Sequence, residues 1–250
     1  MKIENNSGDN LKAYSKDAVH VEDYYLRYFK NKSEQQKRLE AILLQNFPEK
    51  NKAIADVACG AGSLTWHLQG LFKESQFSLL DLNEHALELA KKQFPTSEKF
   101  KILKKNIYEL SEFKNSFDLV FCWQTLSWID RPLDAIDQLI SICKPGGRLY
   151  LSFLFNFDHD VDVTTFLTDF TKPSGKEGLY MQNNTYSMPT LVKWLKGKVA
   201  HFKIVPFVPE IDFEYTGRGI GTYTVKKENG QRLQLSAGMT MNWGILEIIK

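Results

Sequence analysis

Ile54-Ala55-Asp56-Val57-Ala58-Cys59-Gly60-Ala61-Gly62-Ser63 joins a short apolar run to a turn of small residues, and the amphipathic run Leu64–Phe72 follows it. A strand, a tight turn and a helix start in that order bring bare backbone N–H groups close to a ligand, because the first turn of a helix leaves such donors unpaired. Asp81 ends a second apolar run, Phe77–Leu80, about twenty residues further on. A glycine-rich first turn with an acid at the tip of the next strand is the layout that holds a nucleoside in a doubly wound α/β sheet. A dinucleotide site would need a third glycine where the helix packs on the strand; Thr65 stands there, and Ala58 replaces the first glycine. Ala58 also implies a backbone that does not need positive φ at that point.

Two further stretches carry candidate chemistry. Cys122-Trp123-Gln124-Thr125-Leu126-Ser127-Trp128 leaves an apolar run at the edge where open α/β sheets bind ligands. Its two tryptophans offer an apolar or sugar-like face, or a cation–π contact, and the plain alternative is that they anchor the loop. Asp158-His159-Asp160-Val161-Asp162 is the sharpest cluster elsewhere, with the chemistry of a divalent-metal site, a general base at His159, or a solvated loop.

The elements that must position these residues alternate. Strand-like runs cover Ala53–Val57, Phe77–Asp81, Phe100–Leu103, Phe117–Trp123 and Arg148–Phe153, with helical stretches at Ser63–Phe72, Glu84–Phe94 and Leu133–Cys143. That alternation predicts a parallel sheet covered on both faces. Lys144-Pro145-Gly146-Gly147 is the turn into the fifth strand. Leu39, Ile42, Leu43 and Phe47 recur at helical spacing before Pro48, so residues 1–50 read as a separate helical segment. Residues 156–188 are polar and aromatic with weak periodicity, and Thr190–Lys196 reads as a short helix. Strands are then expected at Phe202–Phe207, Ile211–Tyr215, Thr222–Lys226, Arg232–Ser236 and Trp243–Ile249, with a hairpin turn at Asn229-Gly230.

Composition bounds the function. The 250 residues are 43% apolar and 25% charged, enough for one sizeable core. A net charge of +2 gives no field to collect nucleic acid or anionic membrane. The three cysteines (Cys59, Cys122, Cys143) show neither metal-ligand spacing nor a disulfide framework. No run has the length of a membrane span, and Met1–Asn10 lacks a secretory apolar segment, so a cytoplasmic location is expected.

Asp56-Val57-Ala58-Cys59-Gly60-Ala61-Gly62, then Leu79-Leu80-Asp81-Leu82-Asn83, resembles the class I S-adenosylmethionine-dependent methyltransferases. Lys105-Asn106-Ile107, Phe117–Cys122 and Lys144-Pro145-Gly146-Gly147-Arg148-Leu149 resemble that family's later segments in order, so the likeness spans residues 50–155. The resemblance implies S-adenosyl-L-methionine as cofactor, with Asp81 accepting from both ribose hydroxyls and Ala58, Cys59, Gly60 and Gly62 passing along the methionyl part. It implies that Asp56 orients the loop or receives the amino group, that Leu82 and Ile107 sandwich the adenine, and that Asn106 stands where relatives carry an Asp bonding its amino group. Cys122, Trp123, Gln124 and Trp128 would border the methyl group and its acceptor. Catechol-type relatives hold a metal with acids directly after strand four, where this chain has Trp123 and Gln124, so no metal is expected.

The expected fold is therefore α/β: a Rossmann-like, doubly wound, mostly parallel sheet with antiparallel C-terminal strands and a lid insertion. Its expected divisions are 1–50, an N-terminal helical segment or lid; 51–155, the cofactor-binding core; 156–200, a lid and acceptor-binding insertion; and 201–250, strands that complete the sheet plus a hairpin. The expected function is methyl transfer to a small-molecule acceptor, with His159 as base where one is needed, by a monomer or homodimer with no nucleic-acid or membrane partner. An RNA or protein methyltransferase, or a non-catalytic protein that binds the same cofactor, fits the same motifs.

Overall fold

The computed structural model describes residues 26, 28–46, 52–95, 97–157, 160–169, 179–207, 212, 214, 222–236 and 239–250. Helix α1 (Glu34–Asn46) precedes an alternating series of β1 (Ala53–Val57), α2 (Ser63–Leu71), β2 (Gln76–Asp81), α3 (Glu84–Gln93), β3 (Phe100–Lys104), β4 (Phe117–Trp123), α4 (Pro132–Ile142) and β5 (Cys143–Asn156). The five strands lie parallel in the order β3-β2-β1-β4-β5. The order reverses between β1 and β4, which opens a crevice at their carboxyl ends.

Both faces are covered because the strands are apolar on both sides. Ile54, Leu79, Leu119, Phe121 and Tyr150 pack with Leu39 and Leu43 of α1, Leu64 and Leu68 of α2, and Phe94 after α3. The alternate residues, Ala55, Val57, Leu80, Val120, Cys122 and Leu151, pack with Ile136, Leu139 and Ile140 of α4 on the other face. This is the period of two expected of strands, and each fully buried large side chain contributes about 1.5–3 kcal/mol.

β5 is longer than the Arg148–Phe153 expected from sequence. Its register against β4 shifts between Phe117↔Cys143 and Leu119↔Arg148, so the Lys144–Gly147 turn is an excursion inside the strand. A Cβ on Gly147 would lie 2.9 Å from the Asp118 carbonyl oxygen, which is why the turn needs glycine there.

Beyond β5, two strands β6 (Val163–Asp169) and β7 (Leu179–Ser187) form an antiparallel hairpin where the sequence shows weak periodicity. β7 pairs parallel with the end of β5, Leu154↔Thr185 to Asn156↔Ser187. Its pattern is hard to read because Gln182, Asn183, Asn184 and Thr185 are all buried, and polar side chains there erase the apolar alternation. Helix α5 (Met188–Leu195) follows, then β8 (His201–Phe207), β9 (Thr222–Lys226), β10 (Arg232–Ser236) and β11 (Met239–Ile249). β11 runs antiparallel to both β5 and β8, between them. Asn229 and Gly230 make the β9–β10 turn, with Gly230 at φ 81° and the Asn229 side chain accepting from Gln231 N–H at 3.0 Å. The strand expected over Ile211–Tyr215 falls largely outside the described residues, as do Tyr14, Ser15, Lys16, Tyr24 and Tyr25.

Candidate functional site

The turn after β1 is built from left-handed backbone at every second residue: Ala58 at φ 55°, Gly60 at 57° and Gly62 at 86°. The expectation that alanine excludes positive φ at residue 58 is corrected. An alanine there costs about 1–2 kcal/mol, and surrounding bonds hold it. Cys59 N–H donates to the Leu80 carbonyl at 3.2 Å, Gly62 N–H to the Cys59 carbonyl at 2.9 Å, and Gly60 N–H to Asp81 Oδ2 at 2.7 Å.

Asp81 therefore ties the turn to the end of β2. Its second oxygen accepts from Asn83 N–H at 2.8 Å, and Asn83 caps α3 by accepting from Ala86 N–H. Burial raises the Asp81 carboxyl, and the N–H groups of Asn83 and Gly60 oppose that rise. Each carboxylate oxygen has a second lone pair, so both can still accept from a ligand.

Asp56 lies beneath the turn, 1% exposed. Oδ2 accepts from the Thr65 hydroxyl at 2.7 Å, while Oδ1 is buried with no hydrogen-bond partner among the described residues. Burial pushes this carboxyl up to about 7. Thr65, at the position of a dinucleotide enzyme's third glycine, is thus a partner of Asp56 rather than a contact-free packing residue. Burial, with Asp81 and Asp56 nearby, pushes the Cys59 thiol well above its ordinary range.

The opposite wall is the loop after β4. Gln124 sits at φ 54° and donates its N–H to the Ser152 carbonyl at 3.0 Å. Its side-chain amide donates at 2.9 Å to Gln35 Oε1 of α1, which also accepts from the Ser152 hydroxyl at 2.8 Å. β7 fastens the rest of the loop. Asn184 donates through its N–H to the Ser127 carbonyl at 2.7 Å and through Nδ2 to the Ile129 carbonyl at 2.9 Å.

These walls enclose a cavity of about 340 Å³. Of the residues singled out from sequence, Asp56, Ala58, Cys59, Gly60, Asp81, Trp123, Gln124 and Trp128 line it. Ala61, Ser63, Leu64 and Thr125, which belong to the quoted stretches without an assigned role, also line it, and the sequence reading missed Tyr28, Ser33, Gln36 and Ile129. Ser33-Glu34-Gln35-Gln36 did carry a signal, the S-x-x-Q pattern of a capped helix start.

Other expected residues stand apart from the cavity lining. A Cβ on Gly62 would lie 2.6 Å from Phe94 and 2.7 Å from Leu79, so its smallness serves the packing of α2 on the sheet. Strand alternation turns Cys122 into the core on the α4 face, fully buried, its thiol pushed up to about 12 by burial. Ile107 is buried in that same core. Leu82 and Asn106 flank Asp81, whose carbonyl accepts from Lys105 N–H at 2.8 Å; the Asn106 amide oxygen accepts from Tyr108 N–H at 3.1 Å. His159 lies outside the described residues. Asp162 of the same cluster accepts from Ser187 N–H at 2.7 Å and from the Ser187 and Thr190 hydroxyls, so it fastens the chain that enters α5.

Residues 55–149 match the family model described as a methyltransferase domain. A malonyl-[acyl-carrier protein] O-methyltransferase of Halalkalibacterium halodurans is 28% identical over 127 residues, 47% of this chain and 47% of that protein. A mitochondrial ubiquinone biosynthesis O-methyltransferase of Schizosaccharomyces pombe is 31% identical over 118 residues, 44% of this chain and 42% of that protein. The matches span less than half the length of these curated relatives. The structure of a Burkholderia thailandensis 1,6-didemethyltoxoflavin-N1-methyltransferase, with 1,6-didemethyltoxoflavin and S-adenosylhomocysteine bound, has a TM-score of 0.58 at 14% identity. It covers 98% of this chain and 90% of that one. The shared fold is the class I, Rossmann-like one.

Proposed function

We propose, from the methyltransferase domain that residues 55–149 form, that this chain transfers a methyl group from S-adenosyl-L-methionine to a small-molecule acceptor. The observation that carries the reading is Asp81, a half-buried carboxylate at the end of β2 that lines the cavity at the reversal of strand order and braces the turn after β1. Its free lone pairs suit two ribose hydroxyls, which donate. The partnerless Asp56 Oδ1 suits a ligand ammonium, so the donor and acceptor set fits an adenosyl amino acid.

When bound, the cofactor supplies a sulfonium-activated methyl group that a nucleophile displaces in line, leaving S-adenosylhomocysteine. The chain's residues hold the two reactants together and exclude water, which is where most of the acceleration of such a displacement arises. Trp123, Gln124 and Trp128 form the acceptor wall, and their uncharged, aromatic character supports a small organic acceptor over a polyanion. We propose residues 156–200 and the N-terminal segment as the lid, since the β6–β7 hairpin is bonded to that wall. For a hydroxyl acceptor, His159 is the proposed base: the loop after β5 leaves the same sheet edge, and Asn156 closes it by donating to the Val161 carbonyl at 3.0 Å. Unaltered turnover in His159→Ala would remove that role.

Asp81→Ala tests the cofactor assignment. S-adenosylhomocysteine should bind at least about tenfold more weakly by calorimetry, the equivalent of ~1.5–3 kcal/mol for charge-assisted hydrogen bonds. Unchanged affinity would sink it.

A further inference from the structure

Residues 28–33 form a strap that crosses from α2 to the start of α1, and its hold on the two helices is unequal. On the α1 side it is fixed. Ser33 N–H donates to Gln36 Oε1 at 2.8 Å, and Gln36 N–H donates back to the Ser33 hydroxyl oxygen at 3.2 Å. Lys32 Nζ donates to Glu40 at 2.6 Å, and Leu39 and Leu43 anchor the helix in the core.

On the α2 side the contacts are local. His67 Nε2 lies 2.6 Å from the Tyr28 carbonyl oxygen. A carbonyl only accepts, so Nε2 carries the hydrogen of that bond. Beside it the Phe29 ring meets Trp66 at 5.7 Å between centroids, and Trp66 meets Phe94 edge-on at 6.0 Å. Trp66 is still 39% exposed, so Phe29 covers it only in part. Between α1 and α2 lies a cavity of about 10 Å³, near the room of one water, bordered by Lys32, Gln36, Glu40, His67 and Leu71. Close packing leaves that seam unfilled. The His67 bond and the Phe29–Trp66 contact tie the strap down there.

That attachment sets one wall of the larger cavity. Tyr28 lines it together with Ser63 and Leu64, from the first turn of α2. His67 follows Ser63 by four residues and Leu64 by three, so all three share one face of the helix. Its bond therefore draws Tyr28 against the face that borders the cavity. We propose that His67 is a positioning residue that latches the strap onto α2, closing the cavity over the cofactor and slowing its escape. This rests on the reading that the cavity takes S-adenosylmethionine with the N-terminal segment as its lid.

Two substitutions separate the donor from the rest of the ring. A glutamine amide nitrogen reaches the place of Nε2, whereas an asparagine amide nitrogen reaches only that of Nδ1. His67→Gln should therefore keep the latch, and His67→Asn should lose it. Hydrogen exchange over residues 28–33 reads the strap in the full chain. Stopped-flow fluorescence reads the dissociation of S-adenosylhomocysteine, with Trp123 and Trp128 at the cavity as reporters. His67→Asn should raise the exchange and speed dissociation by about three- to tenfold, matching the net contribution of one hydrogen bond. His67→Gln should return both to wild-type values. Faster exchange with an unchanged dissociation rate would show an anchor that gates nothing. Unchanged exchange, or the same effect from both substitutions, would remove the latch. Each of these overturns the proposal and leaves the cofactor reading intact. No binding of S-adenosylhomocysteine to wild-type protein would overturn both.

Discussion

Asp56 shows at the scale of one residue how burial sets chemistry. Its carboxyl is raised from 3.8 to about 7, first by burial, against the Thr65 hydrogen bond. A group raised in this way keeps its proton in the folded chain where the unfolded chain has already lost it. The folded state therefore binds more protons between pH 3.8 and about 7, and stability must fall as pH rises through that window. The slope reaches at most about 1.4 kcal/mol per pH unit. Denaturant unfolding across this range should show the decline, and Asp56→Asn should flatten it. An ammonium at Oδ1 would favour the charged form, so binding of S-adenosylhomocysteine near neutral pH should release a proton. Calorimetric heats that do not vary with the buffer's ionisation enthalpy would contradict this. Two glycines of the same strand–turn–helix give a contrast in packing. Gly62→Ala meets Phe94 and Leu79 at φ 86° and should destabilise by about 2–4 kcal/mol. Gly70→Ala, with nothing within 4 Å of the new methyl, should be neutral or stabilise by up to about 1 kcal/mol.

Elements reach the site through buried polar bonds. β7 pairs with β5 and holds the loop after β4 by three bonds, from Asn184 to the Ser127 and Ile129 carbonyls and from Tyr186 Oη to the Leu126 carbonyl; Leu154 of β5 adds a fourth, its N–H donating to the Ser127 hydroxyl at 2.8 Å. Asn184 is 2% exposed, and its amide oxygen accepts from Thr164 and from Gln182. Asn184→Ala should cost about 1–3 kcal/mol by stranding these groups. Hydrogen exchange should then rise over residues 125–130 more than in α1; equal protection in both would show that the clamp does not govern the loop. The sequence shows β7 poorly for the same reason that it works: its buried residues include amides and hydroxyls, and Asn184 finds its partners far along the chain at Ser127 and Ile129.

Over the whole molecule, the parallel core is closed by an antiparallel end. β11 lies between β5 and β8, and Glu247 in its middle is 2% exposed. Arg148 of β5 approaches it at 2.7 Å and Lys203 of β8 at 2.9 Å, so one buried acid ties three strands. Glu247→Ala should lower stability by about 1–3 kcal/mol, because it removes the buried acceptor that Arg148 and Lys203 share while both cations still reach solvent. A loss under about 1 kcal/mol by denaturant unfolding would show that strand pairing alone holds β11.

Local rules made the core legible. β1 and β4 begin and end where their apolar runs do, α2 starts at the glycine of its turn, and Asp81 stands where β2 runs out. Each depends on neighbours within a few residues, so the sequence by itself determined the alternating sheet, the small-residue turn and the acid opposite it. Tertiary structure decided which side chains share the cavity. Cys122 and Trp123 are adjacent in sequence, yet strand alternation sends the first to the core on the α4 face and leaves the second on the wall. Gln35 meets Gln124 across 89 positions and Ser152 across 117, and that meeting brings Ser33 and Gln36 to the site. No periodicity encodes such contacts. They exist because α1 packs its apolar face on the sheet, and only the packed chain fixes where its first turn comes to lie.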